Sequence, residues 1–162
     1  MTVFNFIPVG SDTPQVVISA FPGTGKSFLF KNQNTIRLNG KKVFDSDSST
    51  FDKAKFPANY IAHIQKLLAD NPHCLIMVSS HVAVRQAMRG AGIEYTLVYP
   101  DIALKLAYLD RYIDRGSPPA FCNMMDEKWD DFIESCMRDT ESGTPSVILL
   151  PEETLAAVLS PI

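Results

Sequence analysis

The chain lacks any apolar run of the ~18 residues that a membrane-spanning helix requires, so no membrane association is expected from its sequence. Its opening, Met1-Thr2-Val3-Phe4-Asn5-Phe6-Ile7, has no basic residues of the kind that begin a secretory signal. The cytoplasm is therefore the expected place of work. Cysteine is scarce: Cys74, Cys122 and Cys136 are odd in number and show neither C-x-x-C nor paired Cys/His spacing. That pattern disfavours a disulfide framework and a zinc site, and leaves reduced core thiols. An excess of positive charge is also missing. Lysine and arginine number 15 against 18 aspartate and glutamate, a net charge of −3, which argues against a general nucleic-acid coat protein. There is no internal repeat, no low-complexity tract and no linker long enough to separate a pair of domains. A single domain over 1–162 is the expectation, with 1–14 as an extended lead-in.

What remains is a chain of 162 residues, 46% hydrophobic and 20% charged, long enough to bury a proper core. Its charge is unevenly spread. Residues 26–55 hold seven basic and three acidic side chains, a balance of +4, whereas 101–162 hold five basic and twelve acidic, a balance of −7. An anionic substrate or a nucleic acid would approach the first half.

The rest of the chain is organised around one stretch in that half. The apolar run Val16-Val17-Ile18-Ser19-Ala20 feeds Phe21-Pro22-Gly23-Thr24-Gly25-Lys26-Ser27, close to the pattern G-x-x-x-x-G-K-[ST], with Ala20 in place of the first glycine. Glycines 23 and 25 can take positive φ and carry no Cβ, so the backbone can wrap a polyphosphate with its N–H groups pointing inward. A phosphate-binding loop formed by Pro22, Gly23, Thr24, Gly25, Lys26 and Ser27 is therefore expected to hold ATP. Lys26 would reach the β- and γ-phosphates, and the Ser27 hydroxyl would ligate Mg²⁺. An ordinary turn with a surface lysine is the competing reading.

Further along, Val43-Phe44, Cys74–Val78, Tyr95–Tyr99 and Ser146–Leu150 read as strands, which makes five with Val16–Ala20. Helical spacing appears from Lys26, over Ala58–Ala69, over Val82–Arg89 and through Ile102, Leu106, Leu109 and Ile113. It returns from Met124 to Arg138, with Asn123 as cap and Trp129, Phe132, Ile133 and Cys136 inward. A closing helix is expected over Glu152–Leu159. Strands alternating with helices predict an α/β fold: a five-stranded parallel sheet with helices on both faces, in the three-layer manner of P-loop NTPases.

In such a sheet ligands sit at the strand C-termini, so residues 23–27, 45–49, 79–81 and Asp101 are expected on one rim. Phosphoryl transfer is mostly positioning and charge stabilisation. Asp45 suits a metal ligand and Asp47 a base that takes the proton of a substrate hydroxyl, with Ser48 beside them. A kink after Asp45 would turn one acid to metal and the other to substrate. The same letters also fit a solvated loop built on Asx and Ser turns. The strand ending at Ser79-Ser80-His81 brings no acid to the rim, so metal positioning falls to Ser27, Asp45 and water. His81 could meet substrate, although a cap on the next helix explains it as well. Arg111 and Arg115, one turn apart, could embrace the transferring phosphoryl group, or could be a solvated pair. Arg85 and Arg89 form a second such pair, suited to a substrate phosphate. Phe51, Phe56 and Tyr60 interleave with Lys53 and Lys55, which suits a stacked base and its phosphates or a loop that tucks its aromatics inward.

Several blocks together resemble the small bacteriophage P-loop kinases, a group described as nucleoside or nucleotide kinases that includes 5-hydroxymethyluridine DNA kinases. They are 21–27, Phe44-Asp45-Ser46-Asp47-Ser48-Ser49, Asn59-Tyr60-Ile61-Ala62-His63-Ile64, Val78-Ser79-Ser80-His81, Tyr95–Pro100 and Arg111–Gly116. Asp45-Ser46-Asp47 is also similar to the Asp-x-Asp of shikimate kinases, whose two acids serve metal and substrate hydroxyl. The resemblance implies an ATP-dependent kinase acting on a pyrimidine-type hydroxyl, first the 5-hydroxymethyl group of hydroxymethyluracil in DNA, and a host-cell cytoplasm if the chain is phage-encoded. A kinase of free nucleosides or nucleoside monophosphates, and a nucleotide-switched binding module without transfer, are the alternatives. Oligomeric state is not legible from the residues.

Overall fold

The computed structural model describes residues 2–161; Met1 and Ile162, the ends of the expected domain, lie outside the described residues. After a two-residue strand, β1 (Ile7–Pro8), five strands form one wholly parallel sheet. They are β2 (Gln15–Ala20), β3 (Lys42–Asp45), β4 (Cys74–Ser79), β5 (Thr96–Pro100) and β6 (Ser146–Leu149), in the order β3-β4-β2-β5-β6. The helices are α1 (Lys26–Lys31), α2 (Ala58–Asp70), α3 (Val82–Gly90), α4 (Lys105–Asp114) and α5 (Pro119–Glu141).

The central strands are apolar at successive positions because both faces of the sheet are covered. Val17, Ile76 and Val78 join one buried cluster with Ile64 of α2, Met88 of α3 and Trp129 and Ile133 of α5. Ile18, Leu75 and Met77 join the other, where Ile7, Val9, Leu29, Leu38 and Leu155 meet them. The second face is thus covered by a six-residue helix and extended segments, and the long helices gather on the first.

Three expected elements differ. Instead of a helix over 152–159, a 3-10 turn at Leu155–Val158 leads into β7 (Leu159–Ser160), which pairs parallel with β1. Burial of Leu155 and Val158 on the second face and the pairing with β1 override the helical spacing. The lead-in also reaches the sheet edge, where Val3 bridges Ser146.

The helix expected from Met124 with an Asn123 cap starts at Pro119 instead. Proline at the first helical position lacks an N–H that would have had no intrahelical partner. Its buried stripe is Met125, Trp129, Ile133 and Cys136, with Phe132 only partly covered.

On α4 most of the expected apolar stripe faces outward: Leu106 is 76% and Ile113 63% exposed, Leu109 alone packs partly against the core, and Tyr108 and Tyr112 are fully buried. Ile102 lies in a separate 3-10 turn, Ile102–Leu104. Tyr112 offers the core a large ring together with a hydroxyl that bonds the Pro22 carbonyl, Tyr108 contributes its ring, and here these outcompete leucine and isoleucine. All three cysteines are free thiols. Among the described residues no helix is long and apolar enough to cross a membrane.

Candidate functional site

Past Ala20 the chain leaves the sheet in a turn whose conformation depends on glycine. Gly23 has φ +85° and Gly25 φ +103°, in the left-handed region that side chains disfavour. At Gly23 close approach adds a second requirement: a Cβ there would lie 2.9 Å from Tyr112 Cε1 and 3.1 Å from Tyr108 Cδ2.

The hydrogen bonding of this turn is lopsided. Its carbonyls are held from outside: Tyr112 Oη donates to Pro22 O at 2.8 Å, Arg111 Nη1 to Gly23 O at 3.0 Å, and the Leu155 N–H to Thr24 O at 2.8 Å. Thr24 is buried and its hydroxyl donates to Phe21 O at 2.8 Å. By contrast, among the described residues no protein group accepts from the backbone N–H of residues 23–27. A run of unpartnered N–H groups on a positive-φ turn is a concavity suited to an anion. Because α1 is only six residues long, the turn itself supplies these donors.

Lys26 opens α1, and its Nζ donates to Ala20 O at 3.2 Å, where β2 ends. Burial of the ammonium lowers its pKa; Asp45 and then Asp47 oppose that shift, and Arg115 adds to it. Asp45, the last residue of β3, is half-buried, and its pKa is raised by burial, with Lys26 opposing and Asp47 reinforcing. Asp47 follows after the chain leaves the strand. It caps the 3-10 turn at Ser48–Thr50, where Oδ1 accepts from the Ser49 N–H at 2.9 Å. Asp47 is thus used as an Asx cap and still faces the same cleft as Lys26.

From α4 and its C-terminal cap come two arginines, Arg111 and Arg115, each laid on an aromatic ring. The Arg111 guanidinium sits 4.3 Å from the Tyr108 ring centroid, and that of Arg115 4.9 Å from the Tyr112 ring. Arg115 Nε also donates to Ser117 Oγ at 2.8 Å. Among the described residues neither pairs with a carboxylate. The Tyr108 hydroxyl is buried and, again among the described residues, has no hydrogen-bond partner.

These groups surround one cleft of about 750 Å³. Of the residues expected there, Pro22, Gly23, Gly25, Lys26, Ser27, Asp45, Asp47, Ser48, Arg111 and Arg115 all line it. Ser79, expected on this rim, joins them, as do Phe28, Lys31 and Phe121, residues that sequence reasoning did not place in the site.

Other expected residues lie elsewhere. Thr24 contributes no side chain to the cleft, because its hydroxyl is turned into the loop's own core. Phe51 is packed edge-on against Tyr60 at 4.9 Å and tilted against His63 at 5.2 Å, and Phe56 lies 5.8 Å from Tyr60, so the tucked-aromatic reading describes this segment. Lys53 is exposed and outside the cleft. His81 caps α3, its Nδ1 accepting the Ala83 N–H at 3.2 Å. Asp101 caps the turn after β5, where Oδ1 accepts the Ala103 N–H at 2.9 Å.

The expectation that Arg85 awaits a substrate phosphate is corrected. Arg85 is 2% exposed, and its guanidinium donates to Ser80 O, Ser135 Oγ and Asp139 Oδ2 at 2.8, 2.7 and 3.1 Å. Arg89 completes the cluster, donating to Asp139 Oδ1 at 2.6 Å and to Tyr95 Oη at 2.8 Å. Burial alone would raise the pKa of Asp139, but bonds from Thr144, Tyr95, Arg85 and Arg89 hold it below the usual carboxylate range.

Tyr60, expected as a stacking or tucked ring, has a further role that sequence reasoning did not assign. Its hydroxyl donates to Ser46 O at 2.6 Å and accepts from the Ser79 N–H at 3.2 Å, tying the ends of β3 and β4 together beneath the acids. Burial pushes its pKa up to about 12, so it stays a donor at neutral pH. Its letter in an amphipathic helix pattern gave no sign of this bond.

A divalent cation would find hard oxygen donors here, the Ser27 hydroxyl and the Asp45 carboxylate, which suit Mg²⁺. Among the described residues no cluster of three or more His, Cys, Asp or Glu side chains could hold a metal unaided. Any such ion would take its remaining ligands from outside these side chains. No protein-family model and no curated protein matches this chain.

Proposed function

We propose that the protein is an ATP-dependent phosphotransferase with a P-loop kinase fold, moving the γ-phosphoryl group to a hydroxyl of a nucleotide-type acceptor. The first candidate acceptor is the 5-hydroxymethyl group of 5-hydroxymethyluracil in DNA. One observation carries the reading: unpartnered N–H groups of the 23–27 turn, an ammonium, two carboxylates and two unpaired guanidinium groups converge on a single cleft. Polyphosphate needs the first, second and last of these, and transfer to a hydroxyl needs a carboxylate. The resemblance to small bacteriophage P-loop kinases supports the acceptor class.

In this reading the turn and Lys26 hold the β- and γ-phosphates, and Arg111 and Arg115 stabilise charge on the group in transit. Ser27 and Asp45 would hold Mg²⁺, which when bound offsets phosphate charge and fixes its orientation. Asp47 accepts the proton of the acceptor hydroxyl as its oxygen attacks the γ-phosphorus. The bond from that phosphorus to the β–γ bridging oxygen breaks, and ADP leaves with the electron pair.

The monophosphate-kinase alternative loses its main support, because Arg85 and Arg89 are bound to Asp139. Transfer of label from γ-labelled ATP, tested in parallel on hydroxymethyluracil DNA, free nucleosides and nucleoside monophosphates, checks the proposal. Label on DNA is the expected result, and label on monophosphates alone would refute the acceptor assignment. Asp47→Asn should lower turnover by about a hundredfold or more while ATP still binds. Unchanged turnover would favour a nucleotide switch instead.

A further inference from the structure

Beside the polar cleft lies a second cavity of different character, about 360 Å³ in volume, between α3 and α5. The two share Pro22, Ser79 and Phe121 as a common wall. Phe21, Phe121, Met124, Met125 and Phe132 make the second cavity mostly apolar. Its volume falls in the range of small-molecule sites, ~300–1,000 Å³, near the small end.

We infer that this cavity is the acceptor subsite and that it takes an uncharged, flat heterocyclic ring whose hydroxyl-bearing arm reaches past Ser79 and Phe121 into the polar cleft. The inference deepens the phosphotransfer reading and rests on it for the transfer step alone.

Three features carry it. The shared wall puts an occupant of the cavity next to Lys26, Asp45 and Asp47, which line the far side of that wall. Charge is the second. Arg85, the buried cation of the lining, has its guanidinium donors engaged by Ser80, Ser135 and Asp139. The other charged lining residues, Asp131 and Arg138, are of opposite sign and exposed. No uncompensated buried charge among the described residues therefore waits here for an anion; Arg138, which has no ion pair among them, is exposed, so a phosphate on a fully inserted group would lose its hydration without a buried countercharge.

Chemistry of the lining is the third. Aromatic edges and paired methionines fit a flat ring, and methionine adapts its shape to what it meets. The polar groups present are neutral or peripheral. Ser79 lines the boundary, and His81, whose Nδ1 accepts the Ala83 N–H, keeps its proton on Nε2 in the neutral form. Such groups read the edge of a heterocycle without needing it charged. The Phe51–Tyr60 segment, the other aromatic candidate, has its rings packed against one another.

A free nucleoside and a base presented by a DNA strand share this chemistry, and the test separates them. The Met124 and Met125 methyl groups, labelled with ¹³C in the full chain, are followed by NMR as 5-hydroxymethyl-2′-deoxyuridine, its 5′-monophosphate or a short single strand carrying the base is added. Both methyl resonances should shift with the nucleoside or with the strand; a response to the strand alone assigns the site to a base held in DNA. Met124 is 40% exposed, so a Met124→Trp variant can fill the cavity with an indole whose N–H keeps access to water. That variant should raise the KM for the acceptor about tenfold or more and leave the Kd for ATP within about twofold.

Methyl resonances that stay still with all three probes, or an acceptor KM unmoved by Met124→Trp, overturn the assignment even if transfer is observed. A monophosphate that binds about tenfold tighter than the nucleoside overturns the uncharged-ring claim. Methyl shifts without phosphoryl transfer to any acceptor would uphold the cavity as a ring-binding site and sink the kinase reading.

Discussion

Replacing Asp139 by asparagine tests whether the cations of α3 are structural. The carboxylate is 2% exposed and takes bonds on both oxygens: Arg85 Nη1 and Tyr95 Oη at 3.1 and 2.7 Å on Oδ2, Arg89 Nη1 at 2.6 Å and Thr144 Oγ1 on Oδ1. Asparagine retains one acceptor oxygen but sets an NH₂ donor against other donors. It also strips the countercharge from Arg85, whose side chain is 3% exposed. Arg89 is 46% exposed and can recover water, so its share of the loss is small. Removing one partner of a buried pair costs about 3–5 kcal/mol, and the Arg85 side alone places the expected loss at about 3–4 kcal/mol. Urea unfolding at neutral pH, followed by circular dichroism, measures it. The pH dependence gives an independent check. Because the folded-state pKa of Asp139 is depressed, its contribution is present above the unfolded-state value and fades as pH falls through the folded one. The gap between wild type and variant should therefore narrow below about pH 4. A loss under about 1 kcal/mol at neutral pH, or a gap that does not narrow in acid, would refute the reasoning.

Gly23→Ala and Gly40→Ala share nearly the same φ, +85° and +80°, but a Cβ at 23 meets two buried rings whereas one at 40 meets nothing within 4 Å. Gly40→Ala should cost about 1 kcal/mol for the backbone alone, and Gly23→Ala about 2–4 kcal/mol once overpacking is added; equal shifts in Tm would show that the rings yield freely. Tyr60→Phe removes the bond to Ser46 O and leaves the Ser79 N–H without its acceptor. It should cost about 1–3 kcal/mol in urea unfolding and, for the proposed phosphotransferase, lower kcat more than ATP affinity, since the acids and not the 23–27 turn lose their support; an unchanged kcat would separate Tyr60 from the site.

Much of the fold can be read from the chain because its strands are buried on both faces and advertise themselves as continuous apolar runs. Cys74–Val78 and Val16–Ala20 are of this kind, and the parallel sheet follows from their alternation with helices. The elements that differ are those whose letters permit two partners. Leu155 and Val158 fit one face of a helix as well as they fit a 3-10 turn against the sheet, and the neighbouring β1 decides between them. On α4, hydropathy favours Ile102, Leu106, Leu109 and Ile113 as the inward stripe, yet the turn at Pro22-Gly23 offers carbonyls that a hydroxyl or guanidinium can satisfy and an aliphatic side chain cannot. Tyr112 and Arg111 therefore face it, Tyr108 packs alongside, and Leu106 and Ile113 are turned to solvent while Leu109 stays partly buried. Within the site, local chemistry of the turn, the acids and the arginines is legible. Side chains that arrive from distant sequence, such as Tyr60 and Phe121, are not.

The two arginine pairs show where sequence stops and structure begins. Arg85/Arg89 and Arg111/Arg115 have the same spacing, and each lies on a helix after a strand C-terminus. What separates them is the surface each helix meets. The α3 pair faces Asp139 of α5, so its charge is neutralised inside the protein. The α4 pair lies on Tyr108 and Tyr112, and an aromatic face holds a guanidinium in place without cancelling its charge. The same two tyrosines pack on Gly23, so the cations and the 23–27 turn are positioned by one set of contacts. Identical letters are thereby divided into a structural pair and a pair able to attract an anion, and the division rests on an acid 54 residues from Arg85 along the chain.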